Sequence, residues 1–168
     1  MITERLISLL ESHANELSAS WVQMIKENEN TESSLGFSPD ELLDYSRFVY
    51  EQLRLWLDWQ TTSGEVAKLF WDLGVEKKKQ GIQLSELHYG LILARRNLYI
   101  NILEKMGEED VADMQELIGF TSRITYFFDK ISFFVIKGFE GLTEPSAQDE
   151  TALDGILSAF RSGSNAGS

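Results

Sequence analysis

A chain of 168 residues is long enough for one domain with a substantial core, and its 43% hydrophobic and 11% aromatic content excludes a disordered chain. A formal charge of -12, with Lys77-Lys78-Lys79 as the longest basic run, repels phosphate backbones, so nucleic acid is not an expected partner. The absence of cysteine excludes disulfides, thiolate nucleophiles and cysteine-based metal sites, and agrees with a reducing compartment and a cytoplasmic address.

With only Pro39 and Pro145 and no alternating β pattern, the chain punctuates itself into helices. The first is predicted over residues 3–28, with Leu6, Leu10, His13, Leu17, Trp21 and Ile25 on one broad face. Its opening, "MITERLISLLESH", carries Glu4 and Glu11 within the apolar pattern and lacks a small-residue cleavage site, so it does not read as a signal peptide. After the polar loop "ENENTESSLGF", "SPDELL" starts a second helix: Ser38 caps, Pro39 takes the first position and Glu41 completes a capping box. Leu42, Tyr45, Val49, Leu53 and Trp56 carry its stripe to about residue 60. Thr62 and Glu65 repeat the S/T-x-x-E pattern, and the third helix, with Val66, Leu69, Phe70 and Leu73, ends at a left-handed C-cap on Gly81.

The fourth helix is expected over residues 83–106 and is apolar on two sides, the pattern of an element that is central or faces a partner. The fifth, over residues 109–139, spaces Met114, Leu117, Thr121, Ile124, Phe128, Ile131 and Val135 in a heptad-like stripe. Arg123, Asp129, Lys130 and Lys137 interrupt its most apolar window, so no membrane insertion is expected. The resulting expectation is an all-α single domain of about five long helices, a globin-like or helical-bundle architecture, over residues 1–142. Residues 143–168 read as a linker, a short amphipathic helix over 151–160 and a flexible tail.

Two groups of residues stand out as functional candidates. Phe120, Phe127 and Phe134 recur every seventh position beside the stripe of the fifth helix, giving it more apolar surface than one neighbour needs. Together with Tyr89, Arg96 and Tyr99 on the fourth helix they are the expected surface for a homodimer or a signalling protein partner. Trp56, Phe70, Lys77 and His88 are the expected lining of an apolar pocket, the alternative function being a sensor of a small apolar ligand. The four tryptophans fall on helical faces and read first as core.

Catalytic and metal chemistry find little here. His88 lacks a second histidine, cysteine or carboxylate at metal-ligand spacing, and His13 with Glu16 is a common surface pattern. There is no G-x-S-x-G, no glycine-rich phosphate loop and no H-E-x-x-H, so no enzyme is expected. The carboxylates of "GEEDVAD" and "SPDELLD" suit helix N-termini, the lysine run suits a helix C-terminus, and Arg95 and Arg96 read first as structural pairing and second as contacts to a docking partner.

Three stretches, "LSASWVQMI" at 17–25, "FSPDELLDY" at 37–45 and "GIQLSELHYGLILARRNL" at 81–98, occur in order across most of residues 1–140. They resemble the RsbRD N-terminal domain family, the stressosome co-antagonist-like sensory domains that stand alone or precede histidine kinase and STAS modules in bacterial signalling proteins. That resemblance implies a non-catalytic sensory domain. The last stretch is more distantly similar to globin-coupled sensors, in which a helix ending in "LG..H...G" supplies the haem's proximal histidine. That position falls on Lys77, which implies a sensor fold without haem, and no cofactor is expected. The chain stops about thirty residues after the fifth helix, too few for an output module, so it acts alone or is a fragment, and its output passes through binding to another protein.

Overall fold

The computed structural model describes residues 2–31, 37–105 and 114–145. Among the described residues there are six α-helices and no strand: α1 (Ile2–Ser12), α2 (Ala14–Glu27), α3 (Pro39–Leu57), α4 (Ser63–Lys79), α5 (Leu84–Lys105) and α6 (Met114–Phe139). The chain is an all-α helical bundle. The amphipathic stretch over 151–160 and the stop at Gly107 lie outside the described residues.

The expected first helix is two helices, which corrects the count. His13 has φ -118 and ψ 18, outside the helical region, and separates α1 from α2. One residue earlier the Ser12 hydroxyl donates to the Ser8 carbonyl at 2.7 Å, the i to i-4 bond that competes with the ladder and bends helices. His13 belongs to both helices' ladders: its N–H donates to the Leu9 carbonyl at 2.9 Å and its carbonyl accepts from Leu17 N–H at 2.9 Å.

Helix starts follow the sequence closely. Ser38 Oγ accepts from Glu41 N–H at 3.2 Å while the Glu41 carboxylate accepts from Ser38 N–H at 2.7 Å, and Thr62 and Glu65 repeat the arrangement at 3.2 Å and 2.7 Å. Gly81, at φ 82, closes α4: Ile82 N–H reaches back to the Lys77 carbonyl at 3.2 Å and Gly81 N–H to Lys78 at 3.1 Å. The end of α3 has the same kind of closure, but its left-handed residue is Trp59, at φ 61 and 64% exposed. The expectation that all four tryptophans pack in the core therefore holds for Trp21 and Trp56, partly for Trp71, and fails for Trp59.

α4 and α6 form the most extensive helix pair, α5 lies between α2 and α6, and α3 packs on α2 and α1. The α4–α6 crossing is unusually close. A methyl group on Gly74 would overlap the Val135 carbonyl oxygen, and one on Gly138 would overlap that of Trp71, so each helix offers a glycine to the other's backbone. Around this crossing runs an aromatic chain in which Phe127 meets Trp56 at 5.6 Å and Phe70 at 6.2 Å, and Phe70 meets Phe48 at 5.3 Å between ring centres.

Candidate functional site

The residues expected to form an interaction surface divide into two sets. Phe127 and Phe134 are completely buried and Phe120 nearly so, all within the protomer's own core. They are therefore not a surface, and this corrects the expectation. Their seven-residue recurrence serves packing against the other helices of the bundle, with α6 in contact with α4, α5 and α1. Tyr89 and Tyr99 are half-buried and Arg96 is exposed, as a surface position requires.

α5 and α6 are tied in antiparallel register. Arg95 Nη1 pairs with Asp129 at 3.2 Å, and the Tyr99 hydroxyl donates to the Thr121 carbonyl at 3.3 Å and lies 3.2 Å from Thr125 Oγ1. Extending that register by one turn sets Ile92 level with Phe133. Ile92, Arg96 and Ile100 fall at i, i+4 and i+8, one row on the outer side of α5. The large apolar members are open: Ile92 is 37% exposed, Ile100 42% and Phe133 52%. Arg96 has no ion pair among the described residues. The sequence marks this helix as apolar on two sides, but nothing in its pattern distinguishes the exposed Phe133 from its buried neighbour Phe134.

The four pocket candidates do not converge. Trp56 and Phe70 both touch Phe127 in the core, and His88 is half-buried on α5. Of the four, Lys77 lines open space in two places: a small cavity with Trp21, Ile25, Tyr45, Ile82 and Leu87, whose volume of about 20 Å³ admits one water molecule, and an open groove of about 440 Å³ between α3 and α4 that none of the other three lines. The Lys77 ammonium lies 5.1 Å from the Phe37 ring centre and 5.4 Å from that of Tyr45, and donates to Gln80 Oε1 at 2.9 Å. Burial lowers its pKa from the ordinary lysine value. The Tyr45 hydroxyl beside it is buried with no hydrogen-bond partner among the described residues.

A buried polar node escaped the sequence reading. Asn97, 1% exposed, donates from Nδ2 to the Leu17 carbonyl at 2.9 Å and to the Tyr50 hydroxyl at 2.8 Å, while its Oδ1 accepts from Ser20 at 2.7 Å. Tyr50 in turn donates to the Ala94 carbonyl at 2.9 Å, so one side chain joins α2, α3 and α5. Burial pushes the Tyr50 hydroxyl's pKa up, and it stays protonated. At the helix bend, Lys105 pairs with Glu16 at 2.9 Å and Glu16 lies 3.2 Å from His13 Nδ1. The hydrogen bond from Lys105 is the first cause of the lowered Glu16 pKa. No group of three or more histidine, aspartate or glutamate side chains with metal-site geometry occurs among the described residues.

The fold and these sites define an all-α helical bundle with an open apolar row on α5 and α6. Compared with protein-family models, curated proteins and solved structures, the chain has no match.

Proposed function

We propose that the chain is a non-catalytic sensory or regulatory module of bacterial signal transduction that works through protein–protein contact, its first partner being a second copy of itself. The observation that carries this reading is the open row of Ile92, Arg96 and Ile100 on α5 beside Phe133 on α6. Aromatic, aliphatic and arginine side chains of this kind are the groups that anchor interface centres. At 22 and 26 residues the two helices extend about 33 and 39 Å, long enough to bury the roughly 800 Å² per partner of a stable dimer. The resemblance of residues 17–25, 37–45 and 81–98 to RsbRD N-terminal domains supports the signalling role. A signal that alters α5–α6 packing then alters the geometry of the pair.

Native mass spectrometry at micromolar concentration tests the reading. The wild type is expected as a dimer and the Ile92→Glu/Phe133→Glu variant as a monomer of unchanged helical circular dichroism. A monomeric wild type, or a variant that stays dimeric, would remove this mechanism.

A further inference from the structure

α3 and α4 follow one another through a short turn yet touch only sparingly, leaving an open groove of about 440 Å³ between them. This is the size of a ligand or anchor-residue site rather than a packing defect. Its floor is apolar and aromatic, from Tyr45 and Phe48 on α3 and Leu69 and Leu73 on α4, with Leu69 38% exposed. Its rims are acidic on balance, with four carboxylates against the single cation Lys77. Glu41 and Asp44 lie one turn apart on α3, and Asp72 and Glu76 one turn apart on α4.

We propose that this groove receives a cationic amphipathic helix of a partner protein. Two carboxylate rims across an apolar floor complement a helix whose apolar stripe is flanked on both sides by lysine or arginine. The groove already shows how it treats a cation, since the Lys77 ammonium lies over the Phe37 and Tyr45 rings. Two of the four rim carboxylates are held only by exposed ion pairs and are open to exchange: Asp44 is 78% exposed and paired with Arg47 three residues on, and Asp72, 52% exposed, with Lys68 on its own helix, whereas Glu41 caps α3 and Glu76 accepts from Gln80. The net charge of -12 draws a basic partner in from a distance.

The same charges disfavour other occupants. A second copy of this acidic chain would set carboxylates against carboxylates. The chain's own amphipathic stretch over 151–160, which contains Asp154, follows directly on Asp149 and Glu150 and has no cation before Arg161, is mismatched as well.

The test uses the intact chain and a fluorescein-labelled amphipathic peptide of leucine and lysine, with its leucine–glutamate counterpart as control, followed by fluorescence anisotropy. The lysine peptide is expected to bind and to weaken as salt rises, and the glutamate peptide not to bind. Asp44→Lys/Asp72→Lys should weaken binding by about tenfold or more. Glu27→Lys/Glu140→Lys makes the same change in net charge on exposed positions outside the groove and should weaken it far less. Equal loss in the two variants means that net charge alone attracts the peptide, and overturns the proposal, as does binding of the glutamate peptide. If Asp44→Lys/Asp72→Lys changes the subunit count, the groove is an interface between copies and the proposal falls. Ile92→Glu/Phe133→Glu should leave peptide binding intact, which separates this site from the α5–α6 face.

Discussion

Among single residues, Asn97 has the largest structural duty for its size. Its amide satisfies a backbone carbonyl of α2, a tyrosine of α3 and a serine of α2 in a place with almost no water access. Removing it strands those partners, and a buried group left without its bond costs about 1–3 kcal/mol. Asn97→Ala should therefore lower unfolding stability in urea by at least about 2 kcal/mol once the lost contacts are added, and Tyr50→Phe by about 1 kcal/mol. An Asn97→Ala loss under about 0.5 kcal/mol would mean the node contributes nothing net. The sequence drew attention instead to His88 and Lys77, because titratable groups advertise chemistry. An asparagine within "ARRNLYI" looks like a polar interruption until its partners, more than forty residues away for Tyr50, Leu17 and Ser20, are in place.

At the scale of elements, glycines on the paired helices α4 and α6 behave in opposite ways. Gly74 sits where any β-carbon would strike the Val135 carbonyl, whereas nothing lies within reach of a β-carbon on Gly119. Gly74→Ala should force the α4–α6 pair apart and cost about 1–3 kcal/mol, while Gly119→Ala should stabilise α6 by about 0.5–1 kcal/mol through reduced freedom of the unfolded chain. Thermal or urea unfolding of the two variants reads both signs, and equal behaviour would refute the crossing. The start of α4 makes a pH prediction. The Thr62 backbone N–H, the first of several donors, holds the Glu65 carboxylate below its ordinary pKa. A lowered folded pKa contributes stability that is present above the unfolded glutamate value and lost as pH falls through the folded one. Glu65→Gln should thus be less stable than wild type at neutral pH and converge with it in acid, as pH falls through the lowered value of the folded state, a convergence that a pH series of melting curves checks. Helix starts were legible because capping boxes are local chemistry; the bend at His13 was not, since a Ser12 to Ser8 bond leaves the apolar periodicity of residues 3–28 unbroken.

For the molecule as a whole, the all-α architecture was legible from helical periodicity and turn residues, but the division of apolar surface between inside and outside was not. Phe127 and Phe133 are both phenylalanines on α6, and only the positions of α4 and α5 decide that the first is buried and the second open. That choice moves the candidate interface from the heptad phenylalanines to Ile92, Ile100 and Phe133, and it changes the experiment. A charge at Phe127 would unfold the core, whereas one at Phe133 tests assembly alone. The glycine crossing has a mechanical side. Elsewhere in the bundle, side chains between helices can yield by rotating, but at Gly74 and Gly138 backbone lies directly on backbone. α4 carries one wall of the acidic groove and α6 carries Phe133, so the two surfaces are mounted on one stiff strut whose spacing is set by backbone and not by side chains.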